Sequence, residues 1–362
     1  MNIRIIGGDF KSTPKRSSVI DKLAKSLSDS VHGEMGYGHT TTTNGGLPEQ
    51  LEHVSISGHD LILWMPNVDN DIDKVYPKKD VGSILICSKV IHSERTVIDA
   101  ISRIFKMNGN AVIAIFPGEQ FSFKLIDALG NVWYNGYDIS KLSEAILSIY
   151  SWTKASKRLS TKHGDFKFAA SENIHLPKLV ELTKIVADKF EAMGGRFFGN
   201  TSTRCMKMFP SERLDSEYIL VSKRNVDKQR LTEDDFVKVK ILGDGSNLSI
   251  QYLGEHKPSV DTPIQSKLYY LWPNINFMIH GHSYIEGAPF TENYYPCGDL
   301  REEVEISKLL QTNATFGAIN IINHGFLLYA SHIEDLEQLV SDLKFTEREI
   351  GYEEVNNSLV EI

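Results

Sequence analysis

Phe277-Met278-Ile279-His280-Gly281-His282-Ser283 is the stretch from which the C-terminal half of this 362-residue chain is read. Three apolar residues lead into two histidines separated by one glycine. In an extended strand, residues two apart project to the same face. His280 and His282 would therefore present two imidazoles side by side. A second apolar segment, 316–329, carries Asn323-His324-Gly325 and reads as two short buried strands with His324 at the turn between them. Upstream, Pro258-Ser259-Val260-Asp261-Thr262-Pro263 offers a carboxylate. Three imidazoles and a carboxylate suit Zn²⁺, Mn²⁺ or a similar ion, and an open coordination position makes such a site catalytic. Each residue also has an ordinary reading. A lone histidine is more often a hydrogen-bonded core residue, and an Asp before Thr-Pro is a helix N-cap.

With two further segments, these motifs resemble the class II aldolase/adducin family. The family carries P-S-S-[DE]-T, then H-[TA]-H-S, then N-H-G. Here they correspond to Pro258–Pro263, His280-Gly281-His282-Ser283 and Asn323-His324-Gly325. Gly199-Asn200-Thr201-Ser202 is similar to its G-N-[IL]-S. The run from Ser222 to Val237 is similar to its T-P-S-G-V-D-K-G-x-L-T-P-E-D-L-V. The resemblance covers about residues 176–347. In motif it lies nearest L-ribulose-5-phosphate 4-epimerase and fuculose-1-phosphate aldolase.

The resemblance implies an α/β/α domain around a central, mainly antiparallel sheet. It implies a divalent ion, zinc first and manganese or cobalt next, held by Asp261, His280, His282 and His324. The implied activity is that of a metal-dependent aldolase (a lyase) or epimerase. Its substrate would be a sugar phosphate or related hydroxycarbonyl compound, reacting through a metal-stabilised enediolate. Family aldolases tend to carry Glu at position 261 as acid/base. The epimerase has Asp-Thr-Pro with Asp as a ligand, so Asp261 is a ligand first and an acid/base second. Gly199, Asn200, Ser202, Lys223, Arg224 and Ser259 are the implied phosphate contacts. Two departures stand out: Val260 replaces a hydroxyl residue, and Ser222-Lys223-Arg224-Asn225 replaces T-P-S-G. Glu286, Tyr294 and Tyr295 are candidate proton donors, and Cys297 reads as a packing residue. The resemblance also implies a homo-oligomer, a tetramer. A non-catalytic, adducin-like scaffold is the competing reading, although that branch tends to lose the metal ligands retained here.

The first 155 residues read differently. Apolar strands at 3–6, 60–66, 82–87 and 110–116 alternate with helical stripes at 18–27, 94–107 and 140–152, which predicts a flavodoxin-like or Rossmann-like parallel sheet. Val132–Tyr134 reads as a short last strand. Gly7-Gly8 with Lys11-Ser12-Thr13, and the hydroxyl-rich stretch Met35–Leu47, read either as a polar-ligand edge or as ordinary surface loops. Neither a G-x-G-x-x-G nor a P-loop motif occurs. A nucleotide- or sugar-binding role, making the chain bifunctional, therefore stands beside a purely structural one. Residues 156–175, with Lys157, Arg158, Lys162 and Lys167, read as a basic linker. The second domain is expected over 176–350, and residues 351–362 form an acidic tail.

Composition narrows the classes. Hydrophobic residues make up 41% and charged residues 24%, ordinary for a globular protein, and the net charge of −8 argues against a nucleic-acid surface. No apolar run approaches the roughly 18 residues needed to cross a membrane. Three scattered cysteines do not make a disulfide framework, so a cytoplasmic setting is expected.

Overall fold

The computed structural model describes residues 1–8, 17–34, 39–44, 57–66, 82–91, 97–164, 173–190, 192–193, 196–205, 218–243, 248–310 and 315–348. The chain divides into two compact units, one over Met1–Lys154 with Glu349–Ile362 and the other over Ala155–Arg348.

The first unit contains β1 (Asn2–Gly7), α1 (Ser18–Glu34), β2 (His39–Asn44), β3 (Leu61–Met65), β4 (Ile84–Val90), α2 (Val97–Lys106), β5 (Ala111–Phe116), β6 (Ser122–Asp127) and β7 (Val132–Gly136). Most of α3 (Ile139–Arg158) also belongs to it. The strand order is β2-β1-β3-β4-β5-β6-β7. From β2 to β5 all neighbours are parallel. Every residue of β3 is buried, as continuous apolar strands inside a parallel sheet should be.

The expected sheet differs from the observed one at both edges. β6 and β7 run antiparallel. Five residues separate β5 from β6, too few for the crossover that a parallel neighbour requires. The stretch 35–47 contains edge strand β2, whose threonines suit an extended backbone better than a loop. Its residues 35–38 and 45–47, and Lys11-Ser12-Thr13, lie outside the described residues. Gly7 packs against α1, where an added Cβ would meet Ile20.

The second unit contains β8 (Ser160–Lys162), α4 (Leu176–Ile185), β9 (Ala192–Met193), β10 (Arg196–Phe197), β11 (Asn200–Arg204), β12 (Tyr218–Ser222), β13 (Phe236–Leu242), β14 (Ser249–Tyr252), α5 (Thr262–Leu271), β15 (Phe277–Gly281), β16 (Tyr284–Ile285), α6 (Arg301–Leu309), β17 (Phe316–Ile321), β18 (Gly325–Ala330), α7 (Ile333–Asp342) and β19 (Phe345–Thr346). Its main sheet has the order β17-β18-β15-β11-β12-β13-β14-β8. All neighbours are antiparallel except β14 and β8.

The stretch read as a linker is thus partly structured. α3 runs to Arg158, and β8 pairs with the free edge of β14. α4 ends sooner than its apolar stripe suggests, because Phe190 turns away to meet Phe326 edge-on at 6.4 Å between centroids. The acidic tail lies outside the described residues.

Alternation decides the layers. Phe277 and Ile279 face one core together with residues of α4 and α7. Met278 faces the opposite core, with residues of α5 and α6. His280 shares the parity of Met278 and so faces the α5 and α6 side.

Candidate metal centre

β15 delivers His280, and His282 follows just beyond its end. β18 pairs with β15, Gly281 opposite Phe326, which brings the turn before β18 against the same end. Asn323 takes a left-handed conformation (φ 56°) there, which Asn tolerates better than most residues. Gly325 lets the turn press in, since a Cβ would collide with the Gly281 carbonyl oxygen. His324 is thereby placed over the strand pair. The imidazole centroids lie 4.6 Å apart for His280 and His324, and 5.3 Å apart for each of the other two pairs. One nitrogen from each ring falls within 4.8 Å of the others, and all three residues are buried.

Asp261 stands at the N-cap position of α5, yet its side chain makes no capping hydrogen bond. The capping reading therefore fails. Its Oδ2 lies 3.8 Å from His280 Nε2 and 4.0 Å from His324 Nε2. Its Oδ1 is buried without a hydrogen-bond partner, and so is His280 Nε2. His280 Nδ1 is 2.8 Å from the Phe326 carbonyl oxygen. A carbonyl can only accept, so Nδ1 carries the hydrogen and Nε2 presents its lone pair to the cluster. His324 Nδ1 lies 2.6 Å from Glu302 Oε2 on α6. This carboxylate–histidine contact fixes the ring and directs Nε2 inward.

The electrostatics are those of a cluster short of a cation. Burial, with His324 nearby, pushes His280 down to about 4. Burial and the other two imidazoles hold His282 well below its usual value. Burial opposes charge on His324 as well, but Cys297 and Glu302 hold it well above. Glu302 is pushed up to about 7 by burial. Two buried polar atoms lack partners inside a set of nitrogen and oxygen donors. Such atoms are costly unless something binds them. The donor set fits a divalent ion.

The implied phosphate residues separate into groups. Asn200 sits opposite His280 on β11, and its Nδ2 donates to Ser259 Oγ at 3.1 Å. Gly199 is left-handed (φ 67°), and a Cβ there would strike Phe190 and the His280 carbonyl. Arg224 donates through Nε to the Pro258 carbonyl at 3.2 Å while its tip reaches solvent. Lys157 lies within electrostatic reach of both Arg224 and Lys257. Asn200, Ser259 and Arg224 thus converge next to Asp261. Ser202 does not join them: it is fully buried and its Oγ is 3.0 Å from Tyr269 Oη. Lys223 is engaged with Asp235 at 3.4 Å.

Of the expected proton donors, two lie away from the imidazoles: Glu286 is exposed on the turn after β16, and Tyr295 stacks under the Arg301 guanidinium at 4.8 Å. Tyr294 is buried. Instead the structure supplies Glu302, Cys297 and Phe198. Cys297 Sγ lies 3.3 Å from His324 Nε2, and Phe198 stacks on His282 at 5.1 Å. Glu302 left one trace in the sequence: it lies four residues before Ile306, on the stripe that α6 buries.

Residues 178–288 match the sequence model of the Class II Aldolase and Adducin N-terminal domain. This part of the C-terminal half is thus similar to a class II aldolase-type domain. The matched residues include Asn200, Asp261, His280 and His282, and His324 lies beyond them. This domain resembles methylthioribulose-1-phosphate dehydratases. One, from Stenotrophomonas maltophilia, is 30% identical over 106 residues, 29% of this chain and 46% of the relative. Another, from Yersinia enterocolitica, is 37% identical over 73 residues, 20% of this chain and 32% of the relative. The chain therefore spans less than half the length of these curated relatives. Among solved structures, L-fuculose-1-phosphate aldolase from Thermus thermophilus is 15% identical, with a TM-score of 0.31, over 46% of this chain and 86% of that one.

Proposed function

We propose that the C-terminal unit is a divalent-metal-dependent lyase acting on a phosphorylated hydroxycarbonyl compound. One observation carries this reading: His280, His282 and His324 bring ligand atoms within 4.8 Å of one another in a buried site, with Asp261 at its edge. His280, His282, His324 and Asp261 would hold the ion, zinc first and manganese or cobalt next. A bound ion supplies a Lewis acid for negative charge developing on substrate oxygens. The protein's residues do the rest. Glu302 keeps the Nδ1 hydrogen of His324 engaged, so that Nε2 faces inward. Asn200, Ser259 and Arg224 offer amide, hydroxyl and guanidinium donors to an anionic group beside the cluster. Asp261 Oδ1, without a partner, is placed to accept or return a proton.

Relatives named dehydratases favour lyase chemistry over epimerisation. The complete donor set weighs against a non-catalytic scaffold. The tetramer rests on the family resemblance, and the cytoplasmic setting on the three scattered cysteines. Among the described residues, no helix is long and apolar enough to cross a membrane.

For the N-terminal unit we infer a flavodoxin-like sheet, since the order β2-β1-β3-β4-β5 with parallel pairing is that of a doubly wound fold. A separate ligand-binding activity at the carboxyl ends of these strands would make the chain bifunctional.

The test is elemental analysis of the purified chain, followed by a panel of ketose phosphates assayed for dehydration and for carbon–carbon cleavage. About one tightly held divalent ion per chain and turnover of at least one such substrate are expected. Protein that stays metal-free after incubation with Zn²⁺, Mn²⁺ and Co²⁺ would refute the assignment.

A further inference from the structure

Cys297 has a position that packing alone does not require. The turn Tyr295-Pro296-Cys297-Gly298 is closed by a hydrogen bond from Asp299 N to the Pro296 carbonyl at 3.0 Å. Gly298 is left-handed (φ 80°), and a Cβ there would run into Ser156 and Val260. Asp299 then accepts from Arg301 N at 3.0 Å and so opens α6, the helix that carries Glu302. A single turn-and-helix unit therefore grips both sides of His324. Glu302 Oε2 meets Nδ1 at 2.6 Å, and Cys297 Sγ meets Nε2 at 3.3 Å.

Nε2 is the nitrogen that would bind the ion. Cys297 Sγ, a carboxylate oxygen of Asp261 and a nitrogen of His324 also lie within 4.8 Å of one another. Asp261, whose Oδ1 is buried and unpartnered, belongs to this cluster, and His324 links it to the three-histidine cluster that holds the unpartnered His280 Nε2, so the thiol does not stand alone. Zinc takes sulfur at about 2.3 Å and imidazole nitrogen at about 2.0 Å, so two such donors on one ion lie roughly 3.1–3.6 Å apart at angles between square and tetrahedral. The observed 3.3 Å falls inside that interval.

We propose that Cys297 is a further ligand of the divalent ion, so that the centre has a sulfur donor beside its imidazoles and carboxylate. The inference rests on the metal-centre reading above. On binding, Sγ gives its proton to solvent and donates a lone pair to the ion, with no change of oxidation state. A soft sulfur donor favours zinc or cobalt over magnesium or manganese.

Full-length protein stripped of metal and reloaded with Co²⁺ alone tests this by absorption spectroscopy. A thiolate on cobalt gives an intense near-ultraviolet charge-transfer band, whereas histidine and carboxylate ligands give only weak visible bands. The expected result is that wild type shows the intense band, and that Cys297→Ser loses it while keeping visible bands and one bound cobalt. Cobalt bound without the intense band overturns the sulfur ligand but leaves the histidine centre intact. A band that persists in Cys297→Ser also overturns it, by assigning the signal to Cys87 or Cys205. Failure of wild type to bind cobalt overturns this proposal and the metal-centre reading together. The double variant Cys87→Ser, Cys205→Ser guards against a folding defect in Cys297→Ser: the band should persist in it, and its loss with cobalt still bound overturns the sulfur ligand.

Discussion

The two sheets of this protein are both well buried, but they bury different things. In the N-terminal unit, β3, β4 and β5 fill their interior mainly with Leu, Ile, Val and Ala, and the larger buried polar groups, Arg103, Asp127 and Asn131, lie outside those strands, where Asp127 accepts from Asn131 N and Trp133 Nε1. The C-terminal sheet and its helices bury Asn200, His280, His282, Asn320, His324, Glu302, Glu303 and Glu305. Fully burying one apolar side chain contributes about 2 kcal/mol, whereas an unpaired buried polar group costs a similar amount or more. The second unit holds two unpartnered atoms, Asp261 Oδ1 and His280 Nε2, beside the other imidazoles, where a bound cation would satisfy them. Both units bury polar atoms without a hydrogen-bond partner, Trp64 Nε1 in the first and Asp261 Oδ1 and His280 Nε2 in the second, but among the described residues metal-ligating donors cluster only in the second.

The comparison can be broken at several points. The largest effect is expected from His282→Ala, which should lower turnover by at least about 10³-fold, in line with losing one key electrostatic group. It should also abolish tight metal binding by elemental analysis; wild-type metal content in this variant would remove the site's central premise. Ile86→Ala at a fully buried position of β4 should cost about 2–5 kcal/mol in denaturant unfolding. Because that strand belongs to the other unit, metal content should not change; loss of the ion would show that the two units are not independent in this respect.

A pH experiment sharpens the contrast further. In metal-free protein His280 is pushed down to about 4 from an ordinary 6.5. Between those values the unfolded chain binds a proton that the folded chain does not. Stability should therefore rise with pH across this window and fall as the pH drops through it. The contribution is about 3 kcal/mol as an order of magnitude. Comparing wild type with His280→Asn by denaturation at pH 4.5 and 7 isolates it. Equal acid sensitivity in the two proteins would contradict a neutral, buried imidazole. The smallest effect is expected from Glu302→Gln. Losing the carboxylate behind His324 should weaken metal binding about 10–100-fold, measured by competition with a chelator. Unchanged affinity would reduce Glu302 to a packing residue.

Several parts of this architecture were legible from sequence because they depend on local periodicity. The H-x-H pair needs only strand alternation to align its rings. The turn at Asn323-His324-Gly325 is marked by residue types that tolerate left-handed backbone. Other parts were hidden by the same local logic. β6 alternates polar and apolar residues like any surface strand, and only the short connection from β5 makes it antiparallel. Ser202 shares the motif of Asn200, yet α5 closes over it and Tyr269 takes its hydroxyl. Glu302 belongs to the charged run Arg301-Glu302-Glu303-Val304-Glu305, which reads as a wet helix face until α6 is seen packed against the sheet. Cys297 lies 27 residues from His324, and no spacing rule predicts that their side chains meet.

The amino-acid sequence by itself determined which residues could bind a cation and which faces of the strands they occupy, because side-chain chemistry and a two-residue repeat are local properties. The tertiary structure decided which of those residues share a centre. It withdrew Ser202 and Lys223, left Glu286 on the surface, and added Glu302 and Cys297. That decision depends on how α5, α6 and the β17–β18 turn dock on one sheet, and docking is set by packing between segments distant along the chain.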